Sequence, residues 1–399
     1  MAFSKITRSR VMKAKRAFTT RRVPSNDMRT LVSGDDIRPV SGNLVLATVV
    51  ELGKHQKIER PNGRRALMMP GDEIIVCYGN RYAPDQFEAL VADDLGLCDL
   101  VAGGGIASRE VARHERMLAP TRILPVGLIG DADGRPLNLF DYRVDYSDSG
   151  RPIQVVLVVG TAMNAGKTFT AASVIKGLKD AGYRVAGIKA TGTGSGGDLW
   201  KMKDMGAEVV LDFTDAGFAS TYKIPDERIE EGVIGLIRQA ARRRCAFAVV
   251  EIADGLQHRE TATLLRSERL QAMVSKVVFA AYDSLGARAG YEELSALGYR
   301  VEAISGQVTR SPLAMREVGG SVDCPLYTPL EIQMGALVAT LAGKAYPAYV
   351  PPLVEDEEEL PDNVADFVIA PGEARDGLRT RRVSGLCGFD FPSGHEETA

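Results

Sequence analysis

Two hydrophobic patterns divide the chain, and the first covers residues 38–150. Short runs rich in valine and isoleucine, such as "NLVLATVVEL" and "DEIIVCYG", are separated by segments with Asn-Gly and Pro-Gly dipeptides. These dipeptides supply the backbone angles that tight turns between strands require. The pattern predicts a β-rich N-terminal domain, a small barrel or sandwich, in which only "GIASREVARHERM" (residues 105–117) indicates a helix.

The second pattern covers residues 151–345, where apolar β-branched runs alternate with longer helical segments. The runs are "IQVVLVV", "YRVAGIKA", "AFAVVEIA", "KVVFAAYD" and "YRVEAISG". They lack polar alternation, which is typical of strands buried on both faces of a parallel sheet. This region is therefore predicted to be an α/β domain with a parallel sheet, and its functional site is expected at the carboxyl ends of the strands.

The two ends of the chain have a different composition from the domains. Residues 1–37 are basic, with no acidic residue before Asp27, and they resemble a transit peptide in being rich in arginine and poor in acid. We expect them to form a disordered arm, with contact to a partner or nucleic acid as the alternative. Residues 346–399 begin with the acidic, proline-containing stretch "YPAYVPPLVEDEEELPDN" and are predicted to be a weakly ordered tail.

Bulk composition restricts the classes of function. Hydrophobic residues make up 45% of the 399 residues, charged residues 25%, and the formal net charge is -3. This near-neutral charge disfavours a nucleic-acid or anionic-membrane partner. The five cysteines are scattered without a CxxC pair, which fits a reducing cytoplasm rather than a disulfide or zinc framework. No apolar run approaches the roughly 20 residues that a membrane-spanning helix needs.

The segment "VVLVVGTAMNAGKTFTAA" (residues 155–172) carries the clearest chemistry. A buried strand ends at Gly160, and Gly166-Lys167-Thr168 opens a helix, which is the arrangement of a phosphate-binding loop. Lys167 would contact the terminal phosphates, and the Thr168 hydroxyl would bind Mg²⁺. The residues predicted to bind the nucleotide are Gly160, Thr161, Asn164, Ala165, Gly166, Lys167, Thr168 and Phe169.

The spacing of this loop departs from the common one, since five residues rather than four separate Gly160 from Gly166. The pattern GTxxxxGKT resembles the loop of the dethiobiotin synthetase and cobyrinic acid amide synthase group, P-loop NTPases related to MinD and the nitrogenase iron protein. The resemblance covers residues 151–330, about half of the chain, and does not extend to the N-terminal domain. It implies the fold of a P-loop NTPase.

The resemblance also implies roles for three later residues. Lys189 ends the next strand, as does the family's substrate- and phosphate-facing lysine. Asp198 and Glu251 match the family's two magnesium-binding acids. Mg²⁺ prefers oxygen ligands, usually one or two carboxylates completed by phosphate and water. We therefore predict Thr168, Asp198 and Glu251 as metal ligands and Lys167, Lys189 and Glu251 as the catalytic residues.

Further candidates are weaker. The family's glycines after the glutamate are replaced by Ile252-Ala253-Asp254, so Asp254 and His258 are extra polar groups beside the expected site. Gly103–Gly105 could cradle a phosphate or form a flexible turn before a helix. Candidates for contacting the base are Ser305, Gln307 and Thr309. Candidates for shaping a substrate pocket are Asp215, Ser220, Thr221 and Tyr222.

Three functions fit these features. The first is a Mg²⁺-ATP-dependent ligase that activates a small anionic carboxylate or carbamate. The second is a nucleotide-gated cofactor-assembly or partner-binding NTPase, which is weakened because Thr161 and Ala162 leave no dimer-bridging lysine of the MinD type. The third is a transferase that uses a phosphate-bearing ligand such as an acyl-coenzyme A. The lack of an Asn-Lys-x-Asp motif favours ATP over GTP, and we expect a homo-oligomer such as a dimer.

Overall fold

The computed structural model of the chain describes residues 2–343. The acidic tail predicted over residues 346–399 lies outside the described residues.

The N-terminal part is built from twelve strands among the described residues. They are β1 (Ala2–Lys5), β2 (Lys15–Arg16), β3 (Thr30–Ser33), β4 (Leu44–Glu51), β5 (Lys57–Glu59), β6 (Arg65–Leu67), β7 (Glu73–Tyr78), β8 (Arg81–Tyr82), β9 (Phe87–Leu90), β10 (Cys98–Ala102), β11 (Ile106–Arg113) and β12 (Thr121–Gly130). Strands β12, β4, β7, β11 and β10 pair in a closed ring, because β10 bonds to both β11 and β12. The β-rich prediction is therefore confirmed as a small barrel.

Residues 105–117 do not form the predicted helix. Their first part, Ile106 to Ser108, is fully buried in β11, and β11 pairs with β7, β9 and β10. Only the second part of the strand is exposed, and its glutamate and arginines gave the sequence its helical character. Burial and pairing with three strands outweigh that weak local preference.

The first 37 residues also differ from the prediction of a disordered arm. Strand β1 pairs with β3, and helix α1 (Arg8–Lys13) is capped by the Thr7 side chain. The basic residues have acidic partners on the barrel, since Arg10 lies 2.5 Å from Glu73 and Lys15 is paired with Asp72. These contacts were not visible in the sequence because the acids lie about 60 residues further along the chain.

The second part is an α/β domain, with six parallel strands between residues 151 and 343. They are β13 (Gln154–Gly160), β14 (Val185–Lys189), β15 (Val209–Asp212), β16 (Phe247–Glu251), β17 (Val274–Ala280) and β18 (Val301–Ser305). Its helices are α2 (Lys167–Asp180), α3 (Gly197–Asp204), α4 (Asp226–Arg242), α5 (Arg259–Leu265), α6 (Glu268–Gln271), α7 (Ser284–Ala296), α8 (Pro312–Gly319), α9 (Pro329–Gln333) and α10 (Val338–Ala342). The strand order is β15-β14-β16-β13-β17-β18.

Alternate residues of each central strand fill two separate cores. Val155, Leu157 and Val159 of β13 pack with α4 to α8, whereas Val156 and Val158 pack with α2, α3, α9 and α10. Both faces of the sheet are thus covered by helices, as the unalternated apolar runs predicted. This arrangement places the ends of β13, β14 and β16 side by side at one edge of the sheet.

The barrel docks on this edge through the basic N-terminal segment. The Arg21 guanidinium lies 2.9 Å from Asp212 and 2.6 Å from Asp215, and it also bonds to the Thr214 hydroxyl. Burial disfavours the charge of Arg21, but the two carboxylates outweigh burial and raise its pKa. Arg22 adds a second ion pair to Asp215 at 3.3 Å. The segment predicted as a free arm therefore holds the two domains together.

Replacing Arg21 by methionine should destabilise the protein, because Asp212 and Asp215 would stay buried with one cation fewer. Removing one partner of a buried ion pair costs about 3–5 kcal/mol. Urea unfolding of the full chain measures this loss. The matched control is Arg29→Met, which removes an exposed arginine of the same segment and should change the free energy of unfolding by less than about 0.5 kcal/mol. Equal stability of both variants would contradict the docking role.

We expect the stability of the barrel to depend on pH through His55. Its Nδ1 lies 3.2 Å from the Leu100 carbonyl, so this nitrogen is the donor, and the side chain is buried beside Arg81. Burial first, and then the charge of Arg81, lower the pKa of His55 to about 3.

Acid should therefore destabilise the fold through His55. Above the unfolded-state pKa of about 6.5 both states carry neutral His55, and below it only the unfolded state gains the proton. Stability is lost as the pH falls from about 6.5 towards 3, by about 1.4 kcal/mol per unit at most. Urea unfolding at pH 7.5 and 4.5 should show a smaller acid loss in His55→Asn than in the wild type, by about 2–3 kcal/mol. An equally steep loss in both would contradict this role.

Candidate functional site

The loop between β13 and α2 has the backbone of a phosphate-binding loop. Asn164 and Gly166 adopt left-handed angles, with φ of 66° and 97°. A Cβ at Gly160 would lie 2.6 Å from the Ala280 carbonyl and 2.7 Å from the side chain of Lys167, so only glycine fits. The loop therefore turns tightly and points backbone N–H groups of the first turn of α2 towards its centre.

Lys167 is held inside this loop. Its Nζ donates to the Ala162 carbonyl at 2.7 Å, and only 6% of the residue is exposed. Burial first, and then the neighbouring Lys189, lower the pKa of Lys167 to about 8. A buried ammonium beside a second cation is a strong attractor for anions.

The Thr168 hydroxyl brings two carboxylates together. Its Oγ1 lies 3.0 Å from Oδ1 of Asp198 at the start of α3 and 2.8 Å from Oε1 of Glu251 at the end of β16. The structure thus brings together all three residues predicted as metal ligands, with Thr168 in contact with each of the two acids. Their role as ligands stays a prediction.

Lys189 joins the same cluster from the end of β14. Its Nζ lies 2.6 Å from Asp198 Oδ2 and 2.6 Å from Glu251 Oε1. Burial opposes the charge of Lys189, but the two carboxylates raise its pKa above the ordinary value. In return, Lys189 outweighs burial and lowers the pKa of Asp198. One ammonium is therefore shared by two carboxylates in this ion cluster.

The oxygen atoms of this cluster fit a Mg²⁺ ion. Glu251 Oε2 is buried and has no hydrogen-bond partner among the described residues, so one carboxylate oxygen is available. Within residues 2–343 there is no group of three or more His, Cys, Asp or Glu side chains that could hold a metal. A magnesium ion here would take Thr168, Asp198 and Glu251 and need phosphate and water oxygens to complete its shell.

The segment after β16 lies against the loop. The Leu256 amide donates to the Gly160 carbonyl at 3.2 Å, and a Cβ at Gly255 would meet the Thr161 carbonyl at 2.3 Å. The charge of Asp254 acts on Lys167. Of the two extra polar residues, Asp254 is therefore within electrostatic reach of the loop.

His258 belongs to an aromatic cluster instead. Its ring centroid lies 4.6 Å from that of Tyr82, and the Tyr82 ring is 5.3 Å from that of Tyr222. The nitrogen Nε2 lies 3.2 Å from a Glu260 oxygen. These contacts make His258 a bridge between the barrel and the α/β domain.

The four residues predicted to shape a substrate pocket, Asp215, Ser220, Thr221 and Tyr222, have structural contacts instead, and their role in a pocket stays a prediction. Asp215 is occupied by Arg21 and Arg22, so it is a docking residue. The Thr221 hydroxyl bonds to the Gly192 backbone, and Ser220 is buried. The Tyr222 hydroxyl donates to Glu88 of the barrel at 2.9 Å.

The turn after β18 contacts the loop, as a base-binding segment would. The backbone N–H of Gln307 donates to the Ala165 carbonyl at 3.0 Å. The Thr309 hydroxyl is used within its own turn, on the Gly306 carbonyl, and Ser305 is fully buried. Gln307 is thus the best placed of the three candidates, and its binding role stays a prediction.

The glycines at 103–105 do not precede a helix, since β11 follows them. A Cβ at Gly104 would lie 2.1 Å from the Gly194 carbonyl, so this turn packs directly on the segment that leads to Asp198. The small size of these glycines permits contact between the domains.

Sequence reasoning missed the barrel residues that reach the site. Glu59 accepts from the Gly196 amide at 2.9 Å and from Trp200 Nε1 at 2.8 Å, which fixes the segment around Asp198. Asp85 accepts from the Asn164 side chain at 2.6 Å. In the sequence, the only indication of a role for Glu59 is that an acidic residue lies within a short strand. No feature of the sequence indicates a role for Asp85.

A parallel sheet whose inner strand β13 ends in this loop, followed directly by α2, defines the fold as that of the P-loop NTPases. The particular branch suggested by the loop spacing rests on the resemblance alone.

Comparison with solved structures gives remote likenesses. The signal recognition particle receptor FtsY from Elizabethkingia anophelis matches with a TM-score of 0.29 and 15% identity, over 40% of this chain and 51% of that one. A DUF1611 family protein from Anabaena variabilis matches with a TM-score of 0.35 and 15% identity, over 51% of this chain and 61% of that one. The 54 kDa signal recognition particle protein from Aeropyrum pernix, in complex with GDP, matches with a TM-score of 0.31 and 16% identity, over 51% and 50%.

This chain thus spans about half to three-fifths of the length of these structures. At such TM-scores, these structural similarities support no conclusion about function. No protein-family model matches the chain. No curated protein matches it either.

Among residues 2–343, no helix is long and apolar enough to cross a membrane.

Replacing Lys189 by methionine should leave the buried carboxylate of Glu251 and the partly exposed carboxylate of Asp198 without their shared cation. Removal of one partner of such a buried cluster should cost about 3–5 kcal/mol in urea unfolding with EDTA present. Added Mg²⁺ should restore part of this loss if the carboxylates can bind it. The control Lys176→Met removes a half-exposed lysine of α2 that pairs with Asp180, and it should be nearly neutral. A Lys189 variant as stable as this control would refute the charge cluster.

Proposed function

We propose that the protein is a Mg²⁺-ATP-dependent enzyme of the ligase type, which activates a small carboxylate or carbamate by phosphoryl transfer. One observation carries this proposal: Thr168, Asp198, Glu251 and Lys189 meet in one hydrogen-bonded cluster beside the phosphate-binding loop. Switch proteins need a metal site, but they do not need a second buried lysine paired with the predicted metal-binding acids.

In this proposal, each group of residues at the site has its own role. Backbone N–H groups of the loop and the first turn of α2 bind phosphate oxygens. Lys167 exchanges the Ala162 carbonyl for a terminal phosphate, which satisfies its charge better than a neutral acceptor. Thr168, Asp198 and Glu251 would hold Mg²⁺, which supplies charge neutralisation between the terminal phosphates when it is bound.

Lys189 supplies the feature that favours group transfer. Its ammonium is buried, positively charged and fixed by two carboxylates, so its position is set before any substrate arrives. Charge developing on a transferred phosphoryl group would be stabilised by such a preorganised cation. The same ammonium would attract an anionic substrate to the loop.

A second candidate is a transferase whose phosphate-bearing ligand, such as an acyl-coenzyme A, binds the loop without being split at a phosphate. The observation favouring it is that Lys189 pairs with both Asp198 and Glu251, so the chain itself supplies these carboxylates with a cation. The loop and Lys167 would then bind the ligand's phosphates with no requirement for Mg²⁺.

Calorimetric titration with ATP, GTP and acetyl-coenzyme A, each with Mg²⁺ and with EDTA, separates these functions. The ligase proposal expects ATP to bind more tightly with Mg²⁺. It also expects phosphate release that depends on a small carboxylate or carbamate from a metabolite panel. Lys167→Ala should weaken ATP binding by about 100-fold or more, since two charge-assisted contacts are lost. Lys176→Ala is the matched control and should bind ATP as the wild type does.

The Glu251→Gln variant tests the metal role separately. It should reduce Mg²⁺-dependent turnover far more than nucleotide binding, because it removes the charge of one ligand and keeps its shape. An equal loss of turnover and of nucleotide binding would show that Glu251 supports the fold rather than the metal. Binding of acetyl-coenzyme A without Mg²⁺, together with no phosphate release from ATP, would contradict the ligase proposal and support the transferase proposal. A preference for GTP would overturn the ATP assignment.

A further inference from the structure

Arg81, at the start of β8, is a buried cation with too few partners. Only 2% of the residue is exposed. Its Nη2 donates to the Gln86 side-chain oxygen at 2.5 Å, while Nε and Nη1 have no hydrogen-bond partner among the described residues. Because Nε carries one N–H and Nη1 carries two, three of the five N–H groups of the guanidinium lack an acceptor.

Arg21 shows how this chain satisfies a buried arginine that serves the fold. It has two carboxylates and a hydroxyl as partners. Among the described residues, Arg81 contacts the neutral side-chain amide of Gln86 and lies 5.6 Å from the centre of the Phe87 ring, but it has no carboxylate partner in contact. Burial, which the more distant Asp254 only partly offsets, lowers the pKa of Arg81 to about 10. A buried charge without a counter-ion is costly, so an arginine kept in this state points to a bound anion.

The location of Arg81 connects it to the loop site. The turn after β8 contacts the phosphate-binding loop, where Asp85 accepts from Asn164. The charge of Asp254 acts on Arg81 and also on Lys167, so Asp254 lies within electrostatic reach of both cations. Arg81 thus belongs to the part of the barrel that faces the carboxyl ends of the parallel strands.

The strand that carries Arg81 is fixed from its other face. Tyr82 follows Arg81, so its side chain points to the opposite side of β8. Its ring packs on His258 and Tyr222 of the α/β domain, at centroid distances of 4.6 and 5.3 Å. Tyr222 also donates to Glu88 of β9. These contacts hold β8 at the junction of the two domains, so the Arg81 guanidinium is positioned in advance.

We propose that Arg81 binds a carboxylate of the small-molecule substrate, in a subsite between the β8–β9 turn and the segment after β16. The proposal rests on the proposed function for the identity of this molecule as substrate, but carboxylate binding itself requires no nucleotide. A carboxylate matches the site because it is a compact monoanion that one guanidinium can neutralise through several N–H groups. A phosphate needs more donors, and the loop already provides them.

The test uses the full chain with acetate as the probe, acetamide as its neutral analogue and inorganic phosphate at equal ionic strength. NMR follows the arginine Nε–Hε signals, and the Arg81→Lys variant assigns the Arg81 signal by its disappearance. Acetate should shift the Arg81 signal saturably, whereas acetamide should not. Acetate should also raise the melting temperature of the wild type.

Arg81→Met should lose the acetate stabilisation, with at least a 10-fold weaker apparent affinity. Its melting temperature without acetate should equal or exceed that of the wild type, because an uncompensated buried charge is removed. The control Arg113→Met removes a half-exposed arginine of β11 and should keep the acetate effect. ATP binding should persist in Arg81→Met.

Three results would overturn the subsite. The first is an Arg81 signal that acetate leaves unchanged, which decides the question even if Arg81→Met does not fold. The second is a lowered melting temperature in Arg81→Met with intact acetate stabilisation, which would make Arg81 structural. The third is a shift caused by inorganic phosphate but not by acetate. If acetate binds as expected while ATP does not bind the wild type, the ligase function fails and the subsite stands.

Discussion

The shared ion cluster around Lys189 is the constraint on which the site depends. One ammonium from β14 pairs with two carboxylates, Asp198 from α3 and Glu251 from β16, and the Thr168 hydroxyl from α2 lies within hydrogen-bond distance of both acids. The buried charges of Lys189 and Glu251 could not stand alone without a large desolvation cost. Together the four residues fix the relative positions of four elements around the loop, and they leave one buried oxygen of Glu251 available for a cation.

The barrel completes this arrangement. Glu59 bonds to the Gly196 amide and to Trp200, and the turn at Gly104 packs on Gly194, so the barrel immobilises the segment that presents Asp198. That segment, "GTGSGG", would be flexible in isolation because of its glycines. The ion pairs of Arg21 with the α/β domain hold the barrel in place. We infer that the N-terminal barrel helps to hold the residues of the site in position.

The sequence was informative where local pattern and global fold agree. Uninterrupted apolar strands, the glycine loop and the polar residues at successive strand ends predicted the sheet, the position of the loop and the meeting of Lys189, Asp198 and Glu251. It misled where a pattern was ambiguous. The charged second half of β11 has helical composition, yet its first half is buried between neighbouring strands. The basic N-terminus has the composition of a disordered segment, yet its charges pair with acids far along the chain.

The sequence by itself thus determined the class of fold and the phosphate-binding loop, because both depend on short-range periodicity and on glycines at fixed spacing. Only the tertiary structure decided which charges became partners. It paired Asp215 with Arg21 and so removed it from the predicted pocket, and it left Arg81 buried with unused donors next to the loop. Those outcomes depend on contacts between residues more than a hundred positions apart, and no local pattern records the distance between two side chains that fold together.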